Sequence, residues 1–304
     1  MTASSPGASN VHSRVVLVTG GTGGIGRAVA VRLAQDGNRV LFIGRDAARA
    51  TRVLAALEEV APGLKHAYIP ADLSLLSDTA AAAAEVERHT DQLDSVVLCA
   101  GIFATVPEWT SEGLERSFVL NYLSRYLLAR LLLPSLLRSR SGRMVLVANA
   151  GVYPDTLDFD DLQHRRGRHG LAVAGRTQFA NDLLAVELAA RVSDTRVEVS
   201  CVAPGPTATD VFRNARGLPP IIRVLAPAIQ RLVGRSPESA AYTPALLAQD
   251  DSIEGVNGSF FGRGLKRLRI PERALRIDRR RLLWQASEEL VRRHLPVETP
   301  PQLG

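Results

Sequence analysis

Short apolar runs alternate with longer stretches in which apolar residues return every three or four positions. The short runs predict strands at 14–19, 39–43, 66–70, 94–99, 142–147, 196–202 and 258–261. They lack polar alternation, as strands do when helices cover both faces of a sheet. The longer stretches predict helices at 24–36, 47–60, 74–90, 111–133, 174–192, 237–249 and 279–294. This alternation predicts an α/β fold with a doubly wound parallel sheet and right-handed crossovers. A single domain over 14–304 is expected, preceded by a loose polar tail at 1–13.

One segment breaks the alternation. Between 206 and 236, Pro206, Pro219, Pro220 and Pro227 interrupt an apolar stretch that includes Ile221, Ile222, Val224, Leu225 and Ile229. These prolines forbid one long helix. Because it follows a strand end, the segment is expected to form a partly helical lid over a ligand crevice. The alternative is an ordinary pair of surface helices. The stretch 118–137 is strongly apolar, yet Asn121, Arg125 and Arg130 argue against a membrane span. A buried core or interface helix ending at Pro134 is expected instead. The last helix carries Leu282, Leu283, Ala286, Leu290 and Val291 on one stripe, which predicts docking onto the body. Its opposite face bears Glu288 and Glu289 with arginines, so no membrane attachment is expected.

Composition narrows the class without naming a chemistry. Hydrophobic residues at 46% and charged residues at 22% are ordinary for a soluble protein. The formal charge of +6 comes from scattered arginines with no recognition motif beside them, so no nucleic-acid partner is expected. Cys99 and Cys201 sit in separate apolar runs and read as small buried hydrophobes. Neither a disulfide nor a metal site is expected, and the compartment is read as reducing and cytoplasmic. The tail has no apolar core of the kind a signal peptide needs.

Candidate chemistry begins at Gly20-Gly21-Thr22-Gly23-Gly24-Ile25-Gly26, which follows a strand and opens a helix. Gly20 permits the tight turn, while Gly24 and Gly26 allow close approach of backbone to pyrophosphate and of helix to sheet. Thr22, Gly23, Gly24 and Ile25 are then placed to cradle phosphates at the positive helix end. The second strand ends in Gly44-Arg45-Asp46. Glycine at 44 removes a carboxylate that would repel a 2′-phosphate, and Arg45 offers a planar fork for it, which favours NADP(H). The alternative for Arg45 is a solvated loop charge. Asp72 is placed to bond an adenine amino group or to cap the helix near Ser74.

These residues resemble the short-chain dehydrogenase/reductase superfamily almost end to end. Thr19-Gly20-x-x-x-Gly24-x-Gly26 matches its nucleotide motif, and Asp72-Leu73 its adenine contact. Cys99-Ala100-Gly101 is similar to the end of its Asn-Asn-Ala-Gly motif, with both asparagines lost. Asn121 lies where the family keeps a structural or catalytic asparagine, and Pro204-Gly205-x-Thr207-x-Thr209 resembles the segment that clamps the nicotinamide carboxamide. Arg45-Asp46, Phe159-Asp160-Asp161-Leu162-Gln163 and the run from Leu283 to Leu290 resemble the retinol-dehydrogenase-like branch. The resemblance implies a Rossmann-type fold and a nicotinamide cofactor. It also implies a homodimer through the long helices at 111–133 and 174–192, unless the C-terminal extension blocks it.

The departures bear on mechanism. The only lysines are Lys65 and Lys266, and neither lies four residues after a tyrosine. Aligning Phe179-Ala180-Asn181 with the family helix puts Gln178 at the lysine, Ala174 at the tyrosine and Asn149 at the serine. Gln178 retains hydrogen bonds for the ribose, and Asn149 offers an amide N–H to an oxyanion. Asn149 serving as a local backbone cap is the alternative. Tyr153, His164 and His169 are other conceivable proton donors, each with a plainer role in loop packing or solvation.

A substrate that carries its own acid also solves the problem, as a ketone beside a phenol does in an aromatic polyketide. The missing tyrosine resembles atypical ketoreductases that act on angucyclinone carbonyls. The expected function is therefore NADPH-dependent reduction of an aromatic ketone, with Asn121 and Asn149 as the catalytic candidates. The rival readings are an inactive NADP-binding regulator and a redox-neutral dehydratase or cyclase.

Overall fold

In a computed structural model of the chain, the described residues are 13–167, 170–207, 217, 235–253 and 255–295. All the strands among them form one sheet in the order β3-β2-β1-β4-β5-β6-β7-β8. The parallel strands are β1 (Val15–Thr19), β2 (Arg39–Gly44), β3 (Ala67–Pro70), β4 (Ser95–Leu98), β5 (Arg143–Val147), β6 (Glu198–Val202) and β7 (Ser259–Phe261). The sequence pattern had no signal for β8 (Arg267–Leu268), a two-residue antiparallel edge strand with one exposed position.

The unbroken apolar runs follow from burial on both faces. Within β1, Val16 and Val18 point into one apolar layer while Leu17 points into the other. The first layer lies against α1 (Gly24–Gln35), α2 (Ala47–Val60) and α7 (Pro237–Gln249). The second lies against α3 (Leu76–His89), α5 (Ser124–Leu137) and α6 (Leu171–Arg191). Register sets Thr19 beside Ile43 and Leu98, and Val147 beside Val202. The carboxyl ends of β1, β2, β4, β5 and β6 therefore share one edge, with the strand order reversing between β1 and β4.

The helix expected at 111–133 begins later and ends later. Gly113 holds φ +72, outside helical space, and the Glu115 carboxylate caps the chain by accepting from Ser117 N and Phe118 N. From there α4 (Arg116–Phe118) passes through a wider π-turn (Val119–Leu123) into α5. Helix α5 does not stop at Pro134 but continues to Leu137. The proline removes one helical N–H bond, while the Ser135 hydroxyl accepts from Leu93 N and donates to Asp91 O. Likewise Glu112 supplies the N-terminal cap of α3, accepting from Leu76 N at 2.6 Å and Ser77 N at 2.9 Å.

After the short α8 (Glu272–Leu275), α9 (Ile277–His294) docks on α5 and α6. Its buried face is Leu283, Trp284 and Ser287, with Leu282 turned outward at 45% exposure. Trp284 stands edge-on to Tyr126 at 4.8 Å, Ser287 pairs with the Tyr122 hydroxyl at 2.7 Å, and Glu288 bonds Arg130 at 2.7 Å. The stripe of the π-turn and α5 bearing Tyr122, Tyr126 and Arg130 is thus covered by the chain's own C-terminal helix.

Candidate active site at the carboxyl ends of the strands

The glycine turn has the geometry the sequence predicts. Gly20 and Gly24 hold φ +68 and +52, and a Cβ on Gly26 would stand 2.4 Å from Gly20 O. Only glycine lets α1 sit this close to β1. A Cβ on Gly20 would meet Ala100 Cα at 3.0 Å, and the Thr19 hydroxyl accepts from Ala100 N at 3.0 Å, so β1 and β4 end locked together. Helix α1 opens at Gly23 with no side-chain cap and no acidic residue in its first turn. Thr22, Gly23, Gly24 and Ile25 are only half-buried. The positive helix end faces the strand edge without a counter-charge from its own first turn, which fits a pyrophosphate.

At the end of β2, a Cβ on Gly44 would lie 2.5 Å from Thr22 Cγ2. A side chain at position 44 would therefore collide with Thr22 unless that residue shifted. The next residue, Arg45, donates from Nη1 to Asp72 Oδ2 at 3.3 Å, and both side chains remain part-exposed. Asp72 Oδ1 accepts from Ser74 N and Ser74 Oγ, forming a turn two residues ahead of α3 rather than the helix cap itself. Burial raises the Asp72 carboxyl pKa, but the bonds from Ser74 and Arg45 outweigh it and hold the group below its ordinary value. Leu73 is buried in the core. Arg49, on the first turn of α2, was not foreseen: its Nη1 lies 3.6 Å from where a Gly23 Cβ would be. It stands i+4 from Arg45, the one signal that could have marked it.

Behind the turn after β4 lies a buried amide network. Asn121 Oδ1 accepts from Ile102 N at 2.8 Å, while its Nδ2 donates to Ile102 O at 2.9 Å and to Thr177 Oγ1 at 3.2 Å. Asn181 Nδ2 donates to the Asn121 carbonyl at 3.0 Å. The side chain of Asn121 is thus occupied in holding the turn at Ala100-Gly101-Ile102. Arg125 reaches beneath the same turn and donates from Nη2 to Ala100 O at 2.8 Å. Burial lowers its pKa to about 10 and raises that of the neighbouring Cys99 thiol to about 12, which favours the protonated thiol.

The end of β5 and the start of α6 bring the other candidates together. Asn149 Nδ2 donates to Gln178 Oε1 at 3.3 Å, and both residues are half-buried in otherwise closed surroundings. Ala174, one turn earlier, is buried, and α6 contains neither tyrosine nor lysine. Lys65 and Lys266 lie in connecting segments elsewhere, before β3 and before β8. Tyr153 packs over Gly175, where a Cβ would sit 3.2 Å from its Cδ1, which agrees with a loop-packing role.

Asp182 was missed by sequence reasoning. It lies one turn beyond Gln178, is 1% exposed, and accepts from Gly151 N at 3.0 and 3.2 Å. Burial pushes its carboxyl up to about 7, against the bond from Gly151 and the charge of Arg273. Its spacing at i+4 from Gln178 and i+8 from Ala174 was the available clue.

After β6, Pro204 is buried and Gly205 turns the chain at φ +77, with the Thr207 hydroxyl donating to Gly205 O at 3.0 Å. Thr209, His169 and the greater part of the expected lid at 206–236 lie outside the described residues. Gly217, within that span, lies against Thr105 and Val106 in the segment after β4. His164, half-buried in the loop after Asp161 at φ +55, donates its backbone N–H to Asp161 O at 2.8 Å.

Comparison with known proteins agrees with this architecture. The family model described as short chain dehydrogenase matches residues 14–157. Human retinol dehydrogenase 14 is 31% identical over 294 residues, covering 92% of this chain and 87% of that protein. Mouse polyprenol dehydrogenase is 32% identical over 254 residues, covering 81% and 75%. A short chain dehydrogenase from Escherichia coli CFT073, crystallised with NADPH, superimposes with a TM-score of 0.64 at 25% identity, covering 82% of this chain and 95% of that one. A Mycobacterium paratuberculosis protein of 23% identity shares the fold over 96% and 98% of the two chains with a TM-score of 0.71. The chain belongs to the short-chain dehydrogenase family, whose members are oxidoreductases. No helix among the described residues is long and apolar enough to cross a membrane.

Proposed function

We propose that this protein is an NADPH-dependent ketoreductase of an aromatic polyketide, angucyclinone-type intermediate, working without the family's usual tyrosine acid. The observation that carries this is the Asn149–Gln178 pair, set at the strand edge on a helix that has no tyrosine or lysine. When bound, the reduced nicotinamide supplies a hydride to the carbonyl carbon. Gly20, Thr22, Gly23, Gly24, Ile25 and Gly26 would hold the pyrophosphate, and Arg45 with Arg49 the 2′-phosphate, which favours NADP(H) as in the relatives crystallised with it. Asp72 and Leu73 would contact the adenine, Ala100 and Gly101 the ribose side, and Pro204, Gly205, Thr207 and Thr209 the carboxamide.

The remaining chemistry falls to a few side chains and to the substrate. An amide nitrogen carries two hydrogens, so Asn149 can donate one to Gln178 and the other to a developing oxyanion. Gln178, its oxygen occupied, keeps its own N–H groups for ribose hydroxyls. Asn121 acts behind the site as a positioning residue for the Ala100–Gly101 turn. A phenol beside the ketone then delivers the proton within the substrate itself, at high effective concentration. Val152 at 67% and Leu171 at 68% exposure are the most exposed large apolar side chains among the described residues. They lie on the two segments that carry Asn149 and Gln178, and would offer apolar surface to a flat aromatic ligand.

The test is purified protein with NADPH and a panel of peri-hydroxy aromatic ketones, read by NADPH oxidation and product mass. Gain of two hydrogens supports the reading. Tight NADPH binding with no turnover would instead indicate a regulator, and loss of water a dehydratase.

A further inference from the structure

The turn that carries Asn149 is held from three directions, and two of the three grips come from residues that no part of the hydride chemistry requires. Gln178 takes the Asn149 side chain. One helical turn on, Asp182 takes the Gly151 N–H with both carboxylate oxygens. From α8, Arg273 Nη2 donates to Gly151 O at 3.0 Å and to Tyr153 O at 2.9 Å, with Nε also reaching Tyr153 O at 3.2 Å. Gly151 sits at φ +74, a left-handed conformation that glycine adopts at no steric cost. Its peptide groups are thereby gripped on the N–H side by an anion and on the C=O side by a cation. The two charges stand close enough for Arg273 to bias the ionisation of Asp182, yet each bonds the loop and the two are not paired with each other.

A buried acid on an apolar helix face is costly unless its charge has a task. Asp182 is enclosed, as are its helix neighbours Phe179, Leu183 and Val186. We propose that Asp182 and Arg273 form a charge clamp that positions the 149–153 turn, making the placement of Asn149 depend on the ionisation of Asp182. This rests on the reading of Asn149 as the oxyanion donor.

Burial sets the Asp182 carboxyl near 7, within the range in which such a clamp would open and close. The groups that face it are Arg273 from α8 and the Cys201 thiol from β6, the latter held protonated by burial. Ionised, the carboxylate is a strong acceptor for Gly151 N–H. Neutral, it is a weak one, and the turn keeps only the Arg273 and Gln178 holds.

The test reads the clamp directly by following the assigned Gly151 amide of the full-length labelled protein by NMR from pH 5.5 to 8.5. The amide proton is expected to shift downfield with rising pH, with one midpoint near 7, and to lose that titration in Asp182→Asn. Arg273→Met, which removes the neighbouring cation, is expected to move the midpoint upward, and it serves if Asp182→Asn does not fold. A Gly151 amide that does not titrate, or titrates identically in both variants, overturns the clamp.

Activity supplies the second arm. Wild-type kcat is expected to fall below the same midpoint at unchanged NADPH affinity, whereas Asp182→Asn runs roughly tenfold slower with that limb flattened. Equal pH profiles for the two proteins would overturn the coupling to Asn149. If no ketone turns over at all, the amide titration still decides the clamp, and it is the ketoreductase reading that fails.

Discussion

Asn149 Nδ2 donates to Gln178 Oε1 at 3.3 Å, tying the carboxyl end of β5 to the second turn of α6. Under the proposed reading, this amide pair takes over at the strand edge the work of the family's hydroxyl and ammonium groups. Removing the donor in Asn149→Ala is expected to lower kcat about 10²–10³-fold while NADPH affinity changes little. Gln178→Ala should act mainly on the KM for NADPH. Steady-state kinetics with varied NADPH and ketone checks the split, and an undiminished kcat in Asn149→Ala would remove that residue from the chemistry.

Packing at Gly44 constrains any change of cofactor preference there. Gly44→Asp, the obvious route to NAD(H) use, would drive its Cβ to 2.5 Å from Thr22 Cγ2. The single variant is expected to be destabilised and to gain little with NADH. Pairing it with Thr22→Ala removes the colliding methyl and should yield measurable NADH turnover. Arg45→Ala alone should raise the KM for NADPH about tenfold and leave that for NADH unchanged, since a charged hydrogen bond contributes about 1.5–3 kcal/mol. Equal loss with both cofactors would return Arg45 to the role of a solvated charge.

Stability should respond to pH through Asp182. Its folded pKa, about 7, stands above the ordinary 3.8, so the folded chain binds this proton more tightly than the unfolded chain does. The resulting stability is fully present below about pH 4 and is lost as pH rises through 7. Asp182→Asn should therefore melt close to wild type at pH 4.5 and above it at pH 8, by up to ~4 kcal/mol. Calorimetry at the two pH values measures this, and an Asn variant less stable at pH 8 than at pH 4.5 relative to wild type reverses the sign.

The C-terminal helix covers an aromatic stripe on the body of the chain. Trp284, buried against Tyr126 and beneath Arg191 at 4.1 Å, anchors α9 to α5 and α6. Trp284→Ala should cost about 3–5 kcal/mol. Ending the chain before Ile277 should uncover the stripe bearing Tyr122 and Tyr126 and drive self-association. Sedimentation of the full chain as a monomer and of the shortened chain as a dimer or larger species is the expected result. A full-length homodimer would show that the expected subunit face lies elsewhere.

Much of the architecture was legible because two-sided burial writes itself directly into composition. Each of β1 to β7 was marked by an apolar run, and the glycine turn by steric needs that only glycine meets. Boundaries were less legible where a distant residue sets them. Glu112 caps α3 from 36 residues away, and Glu115 starts α4 through its own carboxylate. Pro134 reads as a terminator, yet packing carries the helix past it. On α9 the periodic pattern placed Leu282 inward, whereas the larger apolar area of Trp284 takes the buried face and leaves Leu282 outside.

What the chain's linear order determined by itself is local: where backbone can turn tightly, which segments bury both faces, and that the helical stretch 171–191 holds neither a tyrosine nor a lysine. The encounters between remote segments were decided only in three dimensions. Asn149 meets Gln178 across 29 residues, Gly151 meets Asp182 across 31, and Arg273 reaches the same turn across more than a hundred. Hydrogen bonds are short-ranged and leave no periodic trace in a sequence, so a buried carboxylate on α6 looks like any other helical aspartate until the fold closes around it.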